Sequence, residues 1–133
     1  SLPSIVEEHK VDHLSLGVGE IANEDSVDIL LKLSSLVRSL HLLQYYVRRP
    51  NNINYFFGVT DGDWARIIID MFAKKIYKLS IDNWHFPEYL SKNAADFLIE
   101  NLPKTGKKLW FETTCNKFET AFEFNSNDHS VKG

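Results

Sequence analysis

Cysteine is almost missing from this chain. Cys115 is the only one, so no internal disulfide can form, and a lone thiol suits a reducing setting inside the cell, cytoplasmic or nuclear. Asn-x-Ser/Thr glycosylation acceptors are absent as well. No apolar run approaches the roughly 20 residues that cross a bilayer, which argues against membrane insertion. The opening "SLPSIVEEHK" has neither an apolar core nor a cleavage pattern, so no signal peptide is expected, and the domain reads as part of a longer protein. Positive charge is in short supply too: 15 Lys and Arg stand against 18 Asp and Glu, a net charge of −3. A broad nucleic-acid surface needs clustered Lys and Arg, so that class of partner is set aside.

Catalytic and cofactor motifs are equally scarce. His9 and His13, in "HKVDH", are spaced to share a metal on one helix turn, but the glutamate of a metallopeptidase helix is missing and His13 enters a strand. They read as surface histidines. "TDGD", Thr60 to Asp63, starts like a calcium loop, yet the later ligands and closing glutamate do not follow; a turn with Asp63 as a helix cap fits better. "LGVGE", Leu16 to Glu20, lacks the third glycine of a dinucleotide fingerprint and reads as a turn. Cys115 has no histidine near it in sequence to serve as a base, so it is expected to be a buried or half-buried free thiol. The expectation is therefore no catalytic residue, no metal and no cofactor.

What the chain does have is a phrase said twice. "ARIIIDMFAKKIYKLSID", Ala65 to Asp82, returns as "ADFLIENLPKTGKKLWFE", Ala95 to Glu112. Without gaps, Ile69 meets Ile99, Lys74 meets Lys104, Lys78 meets Lys108, Leu79 meets Leu109 and Asp82 meets Glu112. The first part of each has helical spacing: Ile68, Ile69 and Phe72, then Leu98, Ile99 and Leu102. Asp63 and Asn93 stand ahead as N-cap types, and Gly106 stands where the second helix is expected to stop. The second part alternates, with Leu79 and Ile81, then Leu109 and Phe111, on one side of a strand. Ile69, Leu79, Ile99 and Leu109 are expected to be nearly fully buried.

The same grammar runs upstream. Val11 to Val18 alternates as a strand, Ser26 to Val37 is helical, and Leu40 to Val47 reads as a strand. The corresponding leucines, Leu14, Leu40, Leu79 and Leu109, are unevenly spaced, so the repeat is irregular. The widest interval, Leu40 to Leu79, contains Pro50 to Gly62, which reads as a loop insertion. With 133 residues, 44% of them hydrophobic and 25% charged, the chain suits one globular domain, 1–133. The expected class is α/β: irregular helix–strand repeats forming a mainly parallel, leucine-rich-repeat-like sheet with helices on one face. The strands of Leu14, Leu40, Leu79 and Leu109 should be parallel neighbours in that order. Residues 117–133 should add an edge strand, or edge hairpin, and a polar tail.

The stretches "KKIYKLSID", Lys74 to Asp82, and "GKKLWFET", Gly106 to Thr113, resemble the short strands that follow apolar helices in the F-box-associated domains of nematodes, including the type called FTH. That resemblance implies the substrate-recruiting part of a ubiquitin-ligase adaptor, with the F-box outside this chain and no catalytic residues.

In a sheet covered on one side only, the polar phase of each strand faces outward. That phase holds Lys78, Ser80, Asp82, Lys108, Trp110 and Glu112, continued by His41, Leu43 and Tyr45 on the preceding strand. These residues are the candidate binding site for another protein. Trp110 stands out, because a solvated sheet face does not need an indole and a binding surface often uses one. The aromatic stretch "DNWHFPEYL" adds Trp84 and Phe86 as candidate anchors, unless these rings close the core. The other reading is a small enzyme or ligand-binding domain with its site at the carboxyl ends of the strands. Composition and pattern fix no oligomeric state.

Overall fold

Helical and alternating apolar patterns sort this chain into five helices and eight strands among the described residues, 1–17, 26–43, 55–56, 59–83, 86–115 and 118–133, in a computed structural model. In chain order these are α1 (Leu2–Glu8), β1 (His13–Gly17), α2 (Ser26–Leu36), β2 (Ser39–Leu43), β3 (Tyr55–Phe56), β4 (Val59–Thr60), α3 (Asp61–Phe72), β5 (Lys78–Asp82), α4 (Glu88–Lys92), α5 (Ala94–Asn101), β6 (Lys108–Thr114), β7 (Glu119–Asn125) and β8 (Ser130–Lys132). Six strands form one sheet in the order β1-β2-β5-β6-β7-β8, and β3 and β4 pair as a separate antiparallel hairpin.

The strands carrying Leu14, Leu40, Leu79 and Leu109 are parallel neighbours in that order. The sheet as a whole is mixed, because β7 runs antiparallel to β6 and β8 antiparallel to β7. The expectation of a mainly parallel sheet fails after β6. A parallel crossover needs about a dozen residues or more, and the short link from Thr114 to Glu119 can only turn the chain back. The polar tail after β7 likewise turns through residues 126–129 into β8. Register departs from the sequence repeat as well. Leu14 stands beside Leu40 and Leu40 beside Leu79, but Leu79 stands beside Phe111 rather than Leu109.

Each described helix contributes to one core on one side of the sheet. Val6 comes from α1, Leu30 and Leu33 from α2, Leu90 from α4, and Ala94 and Leu98 from α5. From the sheet come Leu40, Leu42, Leu79, Ile81, Leu109, Phe111, Phe122 and Phe124. α3 supplies the widest stripe, Trp64, Ile67, Ile68, Met71 and Phe72, at the three- and four-residue spacing of a helix face. Ile69 falls one step outside that stripe and is only partly buried, and Ile99 is 37% exposed. The expected burial therefore holds for Leu79 and Leu109 and fails for both isoleucines. Side chains turn by about 100° per helical position, and the stripe already spans Ile67 and Ile68, so Ile69 falls past its edge.

The caps differ from expectation in small ways. α1 starts under Ser1, whose hydroxyl accepts from the Ser4 amide at 3.4 Å. α3 begins at Asp61, so Asp63 lies inside its first turn, where Arg66 reaches it and Asp70. The expected loop from Pro50 to Gly62 thus contains the β3–β4 hairpin and the start of α3; residues 50–54, 57 and 58 lie outside the described set, as does the end of the expected Leu40–Val47 strand. Asn93 is the N-cap residue of α5 without a capping side-chain hydrogen bond. Gly106 does not end α5, which stops at Asn101; it turns the chain into β6 with φ +77°. Beside it, Lys107 sends its ammonium to the end of α3, donating to the carbonyls of Phe72 at 3.0 Å and Lys74 at 2.7 Å. That places a cation at the negative end of the α3 dipole. Partial burial lowers the pKa of Lys107 below the ordinary lysine value.

Candidate functional site

Alternation gives each central strand two faces, and the helices cover only one of them among the described residues. The other face is an array of cross-strand neighbours. One row runs His13, Ser39, Lys78, Trp110, Glu123 and Lys132. The next runs Ser15, His41, Ser80, Glu112 and Ala121. The third runs Gly17, Leu43, Asp82, Thr114 and Glu119. Strand twist dishes the array into a half-open depression of about 460 Å³, lined from β1, β2, β5 and β6.

Hydrogen bonds between neighbours order the β1–β2 half. His13 Nδ1 lies 2.7 Å from Ser39 Oγ, and His41 Nδ1 lies 3.3 Å from Ser15 Oγ. Because each pair sits directly opposite across a parallel ladder, the two imidazoles are staggered, one per strand. Further across, the Trp110 Nε1–H donates to Glu112 Oε2 at 3.1 Å. The carboxylates of Asp82, Glu112 and Glu119 gather toward the carboxyl end of the parallel strands. Lys78 and Lys108 stand toward the amino end. The face is thus polar, and its charge is graded along the strand direction.

The structure brings together His41, Lys78, Ser80, Asp82 and Glu112 at the depression. Trp110 lies on the same face, half-buried, and Lys108 follows at its exposed end. β7 pairs with β6 edge to edge, so the Phe122 ring goes to the core and does not fold over Trp110. Phe86 does not join the face. It is 3% exposed and packs edge-on against the buried Trp64 ring, with centroids 5.4 Å apart. As a partner anchor it is corrected to a core residue, because a ring sealed by α3 has no surface to offer. Tyr45 and Trp84 lie outside the described residues. Cys115 is a buried free thiol just past β6, its amide bonded to the Phe118 carbonyl. Among the described residues no three His, Cys, Asp or Glu side chains are grouped to hold a metal ion.

Sequence reasoning misses half of the depression. It considers His13 only as a metal ligand and does not single out Ser15 or Ser39. The signal is present: in "DHLSLG" His13 and Ser15 alternate with Leu14 and Leu16, and Ser39 has the same parity as His41. No protein-family model matches the chain, and no curated protein or solved structure matches it significantly.

Proposed function

We propose that this domain is a protein-interaction module that takes its partner on the uncovered face of its sheet, and that it is the substrate-recruiting part of an F-box-type ubiquitin-ligase adaptor. The observation that carries the first part is Trp110. It stands half-buried between Lys78 and Glu123 on a face that no described helix covers. A large ring there has no core to fill, while aromatic anchors amid polar groups are the pattern of binding hot spots. The adaptor role rests on the resemblance of "KKIYKLSID" and "GKKLWFET". The succession of β1, β2, β5 and β6 with intervening helices supports reading this part as a short, irregular leucine-rich-repeat-like array whose final unit turns back into β7.

Affinity purification of the full-length protein, wild type beside Trp110→Ala, tests both parts. The reading expects the adaptor subunit of a ubiquitin ligase in both samples, and a further partner that is lost or strongly depleted with Trp110→Ala. Recovery of the same partners at equal yield from the two samples would refute the binding face. Absence of any ligase subunit would refute the adaptor role alone.

A further inference from the structure

Within the uncovered face one block is chemically distinct. His13, Ser39 and Lys78 are consecutive neighbours in one row, and Ser15, His41 and Ser80 are consecutive neighbours in the next. Cationic or imidazole groups and hydroxyls alternate over most of this two-by-three patch, and it contains no carboxylate. All six residues line the depression. The serine contacts of His13 and His41 use Nδ1, and Nε2 of each ring has no partner among the described residues. Lys78 is exposed, with its ammonium available to a ligand. Neighbouring strands lie about 4.8 Å apart, so the patch is about 10 Å wide from β1 to β5. That width lets several donors converge on one tetrahedral oxyanion.

We infer that this patch seats a single phosphate monoester carried by an extended segment of the partner protein, and that a basic side chain of the same segment reaches Glu112 and Asp82. The inference rests on the reading of this face as a protein-binding surface. A phosphate group offers three acceptor oxygens and close to two negative charges, which matches a patch of hydroxyl, imidazole and ammonium donors. The surrounding carboxylates, Asp82, Glu112, Glu119 and Glu123, decide what carries it. Together with a chain charge of −3 they repel a polyanion, so a nucleic acid or an anionic membrane is disfavoured while one isolated phosphate is tolerated. The same carboxylates call for a cation on the ligand. His41, Ser80 and Glu112 are consecutive neighbours in one row, which puts Glu112 two strand spacings, about 10 Å, from His41. An extended peptide rises about 3.3 Å per residue, so a peptide crossing the strands meets Glu112 about three residues from its phosphate. The ligand is therefore a phosphorylated residue with Lys or Arg three positions away.

The test is fluorescence anisotropy with short labelled alanine-based peptides. One carries phosphoserine with arginine three positions away, in both chain directions. A second carries serine in place of phosphoserine, and a third carries glutamate in place of arginine. The phosphopeptide in at least one direction should bind about tenfold tighter than either control. Lys78→Ala should weaken it about tenfold, and Lys104→Ala, an exposed lysine away from the face, should leave it unchanged. Equal affinity for the serine and phosphoserine peptides, or equal or tighter binding of a single-stranded oligonucleotide or of phosphatidylserine vesicles, would overturn the inference. A partner recovered by affinity purification separates the two levels. If its capture needs Trp110 but survives phosphatase treatment, the protein-binding face stands and the phosphate site falls. If neither phosphatase nor Trp110→Ala changes capture, both fall.

Discussion

Neighbouring residues of β6 provide a sharp test of how the sheet is divided, since Phe111 points to the helices and Trp110 away from them. The Phe111 ring is fully buried and lies edge-on to Phe72, with centroids 5.9 Å apart, and to Phe122 at 6.1 Å. Phe111→Ala removes a ring from a site closed by both the α3 end and β7, so collapse around the void is limited. The expected loss is about 3 to 5 kcal/mol, of which each edge-on pair accounts for about 0.5 to 1.5. A domain of this size is stabilised by only about 5 to 15 kcal/mol, so Phe111→Leu, expected at about 1 to 3 kcal/mol, guards against a variant that does not fold. Trp110→Ala removes the larger side chain, but one only partly buried on an uncovered face, together with one hydrogen bond to Glu112. Its expected loss is about 2 kcal/mol, from the partly buried ring and that hydrogen bond. Urea unfolding followed by far-ultraviolet circular dichroism reads the difference without relying on the mutated indole. With a slope of about 2 kcal/mol per molar urea, Phe111→Ala should lower the midpoint by about 2 M and Trp110→Ala by about 1 M. Equal shifts, or a larger one for Trp110→Ala, would mean that both sides of β6 are covered and that the proposed binding face does not exist.

The remaining expectations concern local structure. Gly106 has φ +77° and open space where a Cβ would stand, so Gly106→Ala should lose about 1 to 2 kcal/mol from backbone strain alone, measured by the same unfolding experiment. Thr113 donates to the Ser91 hydroxyl at 2.8 Å with both groups buried, which ties β6 to α4. Thr113→Val should cost about 1 to 3 kcal/mol, and adding Ser91→Ala should cost less than the two single losses together, because removing both partners leaves no stranded hydroxyl. For Lys107, burial lowers the folded-state pKa below the ordinary 10.5. The folded protein then gives up that proton before the unfolded chain does, so the contribution of Lys107 to stability should rise with pH across the window between the two values. Stability against pH on the alkaline side should therefore climb less steeply in Lys107→Met than in wild type.

Strand order and face are legible because each rests on parity or on connection length. Alternation in "KLSID" and "KLWFETT" fixes which side chains share a face, and a helix between strands forces a parallel neighbour. The gapless alignment of the repeat sets Leu79 against Leu109, where the sheet sets it against Phe111. No face is lost by that slip, since only an odd slip exchanges the two sides. Helix phase is less secure. Three consecutive isoleucines, Ile67 to Ile69, give no internal contrast, and only Trp64 and Met71 on the flanks reveal that Ile67 and Ile68 face inward. The return of β7 escapes the pattern because "KFETAFEFN" is a good strand by itself, and direction depends on the link before it.

The candidate site divides along the same line. Its β5–β6 half, Lys78, Ser80, Asp82, Trp110 and Glu112, can be read directly, because the duplicated phrase calls attention to those strands and parity does the rest. The β1–β2 half depends on knowing that Ser39 stands beside both His13 and Lys78, each on a different strand and separated from it by a helix along the chain. No local pattern announces that juxtaposition. In sequence His13 is paired with His9, its neighbour on the chain, when the residue that matters to it is Ser39, its neighbour on the sheet. The same holds for Phe86, which looks like an anchor among loop aromatics and is held by Trp64 of α3, an element that precedes β5. In both cases the side chain's chemistry is fixed by a long-range partner, so sequence parity places residues on the face but does not show which of them meet.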